Sequence, residues 1–191
     1  MFWKCFVEFI CAFIPNKNNL RYKVKMYLRH FWTLRYVKRR AAYVGKGVSI
    51  GGSAYITKQT LIHDYVHLGN IRVLGPCKFE IGSFCAVGED LLVLTGNHNY
   101  KGDMLPFDEK WIQKDVIVED ACWIGAHVTL LPGTHIGEGS IIQAGSVVHG
   151  YIPPLSIAGG NPAKVFKTRD KEKYEQLKAE KKYAQLNLNK F

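Results

Sequence analysis

From Val44 the chain places an aliphatic residue at every sixth position: Val44, Ile50, Ile56, Ile62, Leu68 and Leu74. After a one-residue slip the beat resumes at Ile81, Val87 and Val93, and it returns at Val118, Ile124, Leu130, Ile136, Ile142 and Val148. Four residues after a beat the side chain is often small or β-branched, as at Val48, Ala54, Thr60, Val66, Cys85, Cys122, Thr134, Ser140 and Ser146. Gly often follows the aliphatic residue, as in Ile50-Gly51, Leu68-Gly69, Ile81-Gly82, Ile124-Gly125 and Ile136-Gly137. A period of six fits neither an amphipathic helix nor a single alternating strand, so the unit is a repeat. Each hexapeptide reads as a short strand and a turn. The aliphatic residue points inward, the Gly tolerates the corner, and the small residue fills the remaining interior. Three units close a triangular coil, and stacked coils share one core. The pattern predicts a mainly β protein, a parallel β-solenoid.

Departures from the beat divide the chain. Residues 1–43 read as a basic, aromatic helical arm with a break at Pro15-Asn16-Lys17-Asn18-Asn19. The repeat domain occupies 44–167, its coils ending near Pro153-Pro154 and followed by a turn-rich cap, Ala158 to Lys164. An excursion over 95–115 interrupts the coils, and such a departure from a regular scaffold is where functional groups are commonly placed. Residues 168–191 predict a C-terminal helix, Arg169 to Leu186, with Tyr174, Leu177 and Tyr183 as a thin apolar stripe that needs a partner surface.

Charge sharpens this division. The net charge is +10, yet ten bases and one acid lie through Arg40, leaving sixteen bases and fifteen acids from Ala41 onward. The solenoid is close to neutral, which argues against nucleic acid as a partner. Met1 to Ile14 carries Phe2, Phe6, Phe9 and Phe13 at helical spacing, but Lys4, Glu8 and Pro15 make it too short and too charged to span a bilayer. No small-residue cleavage site follows, so a secretory signal is not expected. With the cations that follow, residues 1–40 suit peripheral contact with an anionic membrane at the inner face of a cytoplasmic protein. The competing expectation is that the arm packs on the solenoid or a neighbouring subunit. The five cysteines lack metal or redox spacing, and Cys85 and Cys122 fall on the small inward position, as buried reduced thiols would.

Among seven histidines, His30 sits in the arm and His63, His67, His127, His135 and His149 lie off the beat, where a surface role is favoured. His98 differs. It opens the excursion within Thr95-Gly96-Asn97-His98-Asn99, where Gly and Asn let the backbone turn and can hydrogen-bond an imidazole. A positioned imidazole can take a proton from a hydroxyl near neutrality.

The repeat, Gly96-Asn97-His98, Trp123-Ile124-Gly125-Ala126, Leu131-Pro132-Gly133, Gly145-Ser146-Val147-Val148 and Gly159-Gly160-Asn161-Pro162-Ala163-Lys164 together resemble the hexapeptide-repeat acetyltransferases. The excursion with Leu105-Pro106-Phe107 looks most like that of xenobiotic acetyltransferases, and the basic arm more like enzymes that acetylate bacterial surface sugars. The resemblance implies a left-handed β-helix and a homotrimer with active sites between subunits. It implies His98 as general base and a direct attack of the acceptor hydroxyl on acetyl-CoA, with backbone N–H groups stabilising the oxyanion and no metal. Asn97 and Trp123 would flank the acetyl and acceptor site. The coenzyme positions fall on Ala126, Ala144, His149, Gly150, Lys164 and Lys167. Relatives often have Thr-Lys where this chain has His149-Gly150-Tyr151, so a polar coenzyme contact is either lost or supplied by His149.

The leading expectation is thus an acetyl-CoA-dependent O-acetyltransferase acting on a sugar or surface polysaccharide hydroxyl. Antibiotic O-acetylation and nucleotide-amino-sugar N-acetylation are alternatives on the same scaffold. Two other classes remain open: a metal-dependent hydratase using His63 and His67 with His98, and a non-catalytic trimeric scaffold.

Overall fold

The computed structural model describes Cys11 and residues 20–184. Apart from Cys11, the Phe-rich segment and the Pro15 to Asn19 break lie outside the described residues. Helix α1 (Leu20–Arg40) leads into a three-sided parallel β-helix. The first face stacks β1 (Tyr43–Val44), β4 (Thr60–Ile62), β7 (Phe79–Ile81), β12 (Val116–Val118), β15 (His135–Ile136) and β18 (Tyr151–Ile152). The second stacks β2 (Ser49–Ile50), β5 (His67–Leu68), β8 (Ala86–Val87), β13 (Trp123–Ile124), β16 (Ile141–Ile142) and β19 (Ser156–Gly160). The third stacks β3 (Ala54–Tyr55), β6 (Ile71–Leu74), β9 (Leu91–Leu94), β14 (Thr129–Leu130) and β17 (Val147–Val148).

The aliphatic beat forms the core, with Ile50, Ile56, Ile62, Leu68, Ile124, Leu130, Ile136 and Val148 all fully buried. The slip falls earlier than the periodicity suggests. In β6 the inward residues are Ile71 and Val73, and Leu74 is only half-buried, as the alternation of a strand requires. The small positions do more than fill space. Thr134 Oγ1 donates to Leu131 O at 2.7 Å and Val148 O at 2.9 Å, and Ser146 Oγ donates to Gln143 O at 2.7 Å. Cys85 and Cys122 are likewise buried, their thiols directed at the carbonyls of Glu119 and Gly137. Corner carbonyls, several of which also accept a backbone N–H, are thus hydrogen-bonded from inside.

The glycines that follow the beat serve a different purpose from the expected corner φ. Gly125 lacks a positive φ, and a Cβ there would sit 2.4 Å from Ala144 N in the next coil. It is present because successive coils meet edge to edge. The left-handed corner residues come later and include non-glycines as well as glycines: Tyr65, Phe84 and Ala121 on one corner, Asp90 and His127 on another.

Both ends of the solenoid are covered. Val37 and Thr33 of α1 are buried on the first coil. His30 Nδ1 donates to Ile50 O at 2.9 Å and Arg40 Nε to Ile56 O at 3.1 Å, closing edge carbonyls that no further coil would pair. From His30 to Arg40 the arm therefore packs on the solenoid. Among the described residues no helix is long and apolar enough to cross a membrane.

At the far end the coils do not stop at Pro153-Pro154. β18 and β19 add a further turn, burying Ile152 and Ala158, and β20 (Ala163–Thr168) folds back antiparallel on β19. The expected turn-rich cap is thus a hairpin, its turn at Asn161-Pro162. The C-terminal helix α2 is shorter than expected, Lys171–Ala179, and is N-capped by Asp170, whose side chain accepts from Lys173 N. It lies along a corner: Tyr174 Oη donates to Glu138 Oε1 at 2.9 Å and Arg169 Nη1 to Gly139 O at 2.9 Å. Beyond the helix, Tyr183 stacks on Phe84 at 4.0 Å, and Phe84 on Tyr65 at 5.2 Å. The left-handed corner aromatics are thereby a platform for the C-terminal segment.

Candidate active site

The excursion is not an irregular loop. β10 (Gly96–His98) pairs antiparallel with β11 (Trp111–Gln113), giving a hairpin that leaves the corner between the third and first faces. Its crossing is fixed by Asn99, whose Nδ2 donates to Asp108 Oδ2 at 2.9 Å, and by Asp108 N donating back to Asn99 O at 3.1 Å. Asn97 Oδ1 accepts from His98 N at 2.9 Å. Asn97 thus shapes the local backbone.

His98 is half-buried between two rings. It stacks on Phe107 at 3.8 Å with 16° between planes, and meets Trp111 at 4.6 Å with a 44° tilt. Ring-on-ring packing removes rotamers from the imidazole and shields it from one side, leaving its nitrogens at the ring edge available. Neither Phe107 nor Trp111 stood out as a partner of His98 in the sequence. Strand alternation at Trp111-Ile112-Gln113 would have paired them.

Ala126 and Ala144 share one corner. The pairing of Ile124 with Ile142 and of Ile142 with Ala158 stacks Ala126, Ala144 and Gly160 in successive coils. The amides of Ala126 and Ala144 have no backbone acceptor among the described residues. A Cβ placed at Gly145 would meet nothing within 4 Å, so this corner is an open track with two unpaired donors. Such a track fits the amide-bearing arm of coenzyme A. Lys164 flanks the track through the pairing of its residue with Gly159, and Lys167 pairs with Ile157 on the second face. Both lysines are exposed. Trp123 stands on that same face, 59 % exposed, in register with Ala86 and Ile141. His149 and Gly150 lie elsewhere, at the corner after β17, where Gly150 N–C geometry (φ +70°) turns the chain into β18.

One chain therefore gathers Ala126, Ala144 and Lys164 at one corner, with Trp123 and Lys167 on the adjoining face, and puts His98 and His149 on the next corner round. Other histidines are engaged structurally: His63 Nε2 with Glu80 at 3.0 Å, His135 Nε2 with Glu119 at 2.6 Å, and His67 with the Ser49 hydroxyl at 2.8 Å. Burial, and then the charge of His30, hold the His67 imidazole below its ordinary value. Hydrogen bonds from Lys78 and then His63 hold the Glu80 carboxyl below the usual range. His63, His67 and His98 do not converge, and among the described residues no three His, Cys, Asp or Glu side chains are grouped as metal ligands.

The sequence matches the family described as bacterial transferase hexapeptide (six repeats) over residues 115–150. A protein assigned to lipopolysaccharide-biosynthesis O-acetyl transfer in Escherichia coli (strain K12) is 29 % identical over 129 residues, covering 63 % of each chain. The alignment thus spans just under two thirds of that relative's length. A protein assigned as a macrolide acetyltransferase in Lysinibacillus sphaericus is 33 % identical over 133 residues, 60 % of this chain and 70 % of its own. Among solved structures, a hexapeptide-repeat acetyltransferase from Vibrio cholerae superposes with TM-score 0.63 at 21 % identity, covering 86 % of this chain and 88 % of that one. It has also been solved with acetyl coenzyme A, at TM-score 0.61 and 22 % identity over 82 % and 80 % of the two chains. The fold is thus the left-handed β-helix that the motifs imply.

Proposed function

The chain belongs to the bacterial hexapeptide-repeat transferases, and from that premise we propose that it transfers an acetyl group from acetyl-CoA to a hydroxyl of a saccharide. The observation that carries this reading is the His98 imidazole, held between Phe107 and Trp111 on a hairpin that interrupts an otherwise regular solenoid. Acetyl-CoA supplies the acetyl group as a thioester. Its pantetheine arm would lie along the Ala126–Ala144 corner and use the two free amides, with Lys164 and Lys167 near its phosphates. His98 takes the proton of the acceptor hydroxyl as the oxygen attacks the thioester carbon. The carbon–sulfur bond breaks, and the same imidazole returns the proton to the departing sulfur.

His98 and the coenzyme corner belong to different edges of one chain, so we place the site between subunits of a homotrimer. The hairpin ends in Leu105, 98 % exposed, with Met104 beside it half exposed, an apolar tip suited to an adjacent subunit. The exposed Trp123 would be the acceptor-side wall of the neighbouring site. A saccharide acceptor agrees with the E. coli relative's assignment to lipopolysaccharide O-acetyl transfer.

The L. sphaericus relative, assigned as a macrolide acetyltransferase, supports a second reading, antibiotic O-acetylation, to which the Pro106-Phe107 tip also lends itself. A panel with labelled acetyl-CoA separates these readings. Base-labile ester on simple sugars or oligosaccharides is expected. Label on chloramphenicol or a macrolide alone, or an amide on amino sugars, would replace the saccharide-hydroxyl assignment.

A further inference from the structure

A groove runs between α1 and the first coil, away from the His98 hairpin, with a volume of 380 Å³. Arg35 and Arg39 of α1 line it, one helical turn apart, together with the rings of Trp32 and Tyr36. At Ser53 and Ala54 it joins a second hollow of 290 Å³ on the third face, which Tyr55 and Arg72 line. Tyr55 and Arg72 are register partners on β3 and β6, and both side chains are exposed. The floor of this composite groove leads toward the active hairpin. Leu74, at its upper end, pairs with Leu94, four residues before His98. Two coil steps, roughly 10 Å, separate β3 from the strand that feeds the hairpin.

Its chemistry is specific. Arg35, Arg39 and Arg72 are exposed, and none has a carboxylate partner among the described residues. Three guanidiniums and three aromatic rings line the two adjoining hollows. Guanidinium offers a planar fork to carboxylate or phosphate, and aromatic rings stack on the apolar faces of sugar rings. A bare cationic face would attract any polyanion, whereas accompanying rings favour an extended chain of rings that bears negative charge.

We propose that this groove binds an anionic saccharide chain, holding an extended acceptor so that one of its residues reaches His98. The role given to the bound chain rests on the acetyl-transfer reading; the binding itself does not. The anionic groups could be carboxylates of acidic sugars or phosphates carried on the chain, and both suit the same guanidiniums.

The test is calorimetric binding to the full chain of tetragalacturonate, for carboxylate, of a phosphorylated tetrasaccharide, for phosphate, and of neutral maltotetraose. At least one anionic probe should bind, and maltotetraose at least tenfold more weakly. The Arg35→Ala/Arg39→Ala variant and, separately, Arg72→Ala should each weaken that probe by about tenfold or more, with coenzyme A affinity and oligomeric state unchanged. His98→Ala should lower transfer by roughly two to four orders of magnitude but leave probe binding intact, so a wrong reaction and a wrong groove give different results. No binding by either anionic probe, equal binding of maltotetraose, or affinity indifferent to all three arginines would overturn the proposal. So would loss of the oligomer in the arginine variants, which would make the groove a subunit contact. Binding of anionic vesicles with neither saccharide would reassign it to a membrane surface.

Discussion

The ring of His98 lies 3.8 Å from that of Phe107 and within 16° of parallel, although the two residues sit on opposite arms of the hairpin. This contact restrains the imidazole in a segment that carries none of the solenoid core. A stacked ring pair is worth about 0.5–1.5 kcal/mol. Phe107→Ala should therefore lower kcat by about two- to tenfold through lost positioning. The KM for acetyl-CoA, whose binding we propose at a different corner, should stay unchanged in steady-state kinetics.

The open track at Ala126 and Ala144 gives a complementary expectation. Ala144→Glu puts an anion and bulk onto the track, where its exposed position leaves the core undisturbed. The KM for acetyl-CoA should rise by about tenfold or more, the loss of a charge-assisted or apolar contact of roughly 1.4 kcal/mol or greater. The thermal midpoint should stay close to that of the parent chain. An unchanged KM would remove this corner from the coenzyme site.

Two glycines with the same sequence signal should respond differently. Gly51 and Gly125 each follow an aliphatic beat, but a Cβ at Gly51 has no neighbour closer than 3.9 Å, while one at Gly125 meets Ala144 N at 2.4 Å. Gly125→Ala should cost about 1–3 kcal/mol as overpacking between coils. Gly51→Ala should be neutral or slightly stabilising through the unfolded chain. Urea unfolding of the two variants decides this.

Acid should weaken the fold in two stages. His67 titrates below its ordinary value of 6.5 in the folded chain, so the folded state resists its protonation. Stability is full above 6.5 and falls as pH drops from there toward the folded value. Glu80, lowered from 4.5, contributes stability that is full above 4.5 and lost as pH falls through its folded value. Unfolding free energy measured against pH should show both declines, with His67→Asn flattening the first and Glu80→Gln the second.

Much of this architecture is legible in the residue pattern, because a buried column of aliphatic side chains has no other way to repeat every six residues. Its phase is less legible where two aliphatic residues are adjacent. Leu74 keeps the six-residue spacing and the adjacent Val73 does not, yet it is Val73 that alternates inward with Ile71 and is fully buried. The corners are read poorly for a physical reason. Left-handed backbone ordinarily signals glycine, yet Tyr65 and Phe84 occupy it, held in a ring stack that ends in the distant Tyr183. The hairpin of β19 and β20 was hidden by Gly159, Gly160 and Pro162, which mark the turn correctly but mask the strands beside it. His98 stood out by its context, but its partners Phe107 and Trp111 became visible only once the excursion was seen to be a paired ribbon. The relation of His98 to the coenzyme corner involves another subunit in our account, and one chain's sequence carries little information about that juxtaposition.

The central claim is that His98 is the base for acetyl transfer. The most direct test is the turnover of His98→Ala with acetyl-CoA and the best acceptor from the panel, followed as free thiol released. The account predicts a fall in kcat of roughly two to four orders of magnitude, with oligomeric state and coenzyme A affinity retained. Turnover within a fewfold of the parent enzyme would contradict it.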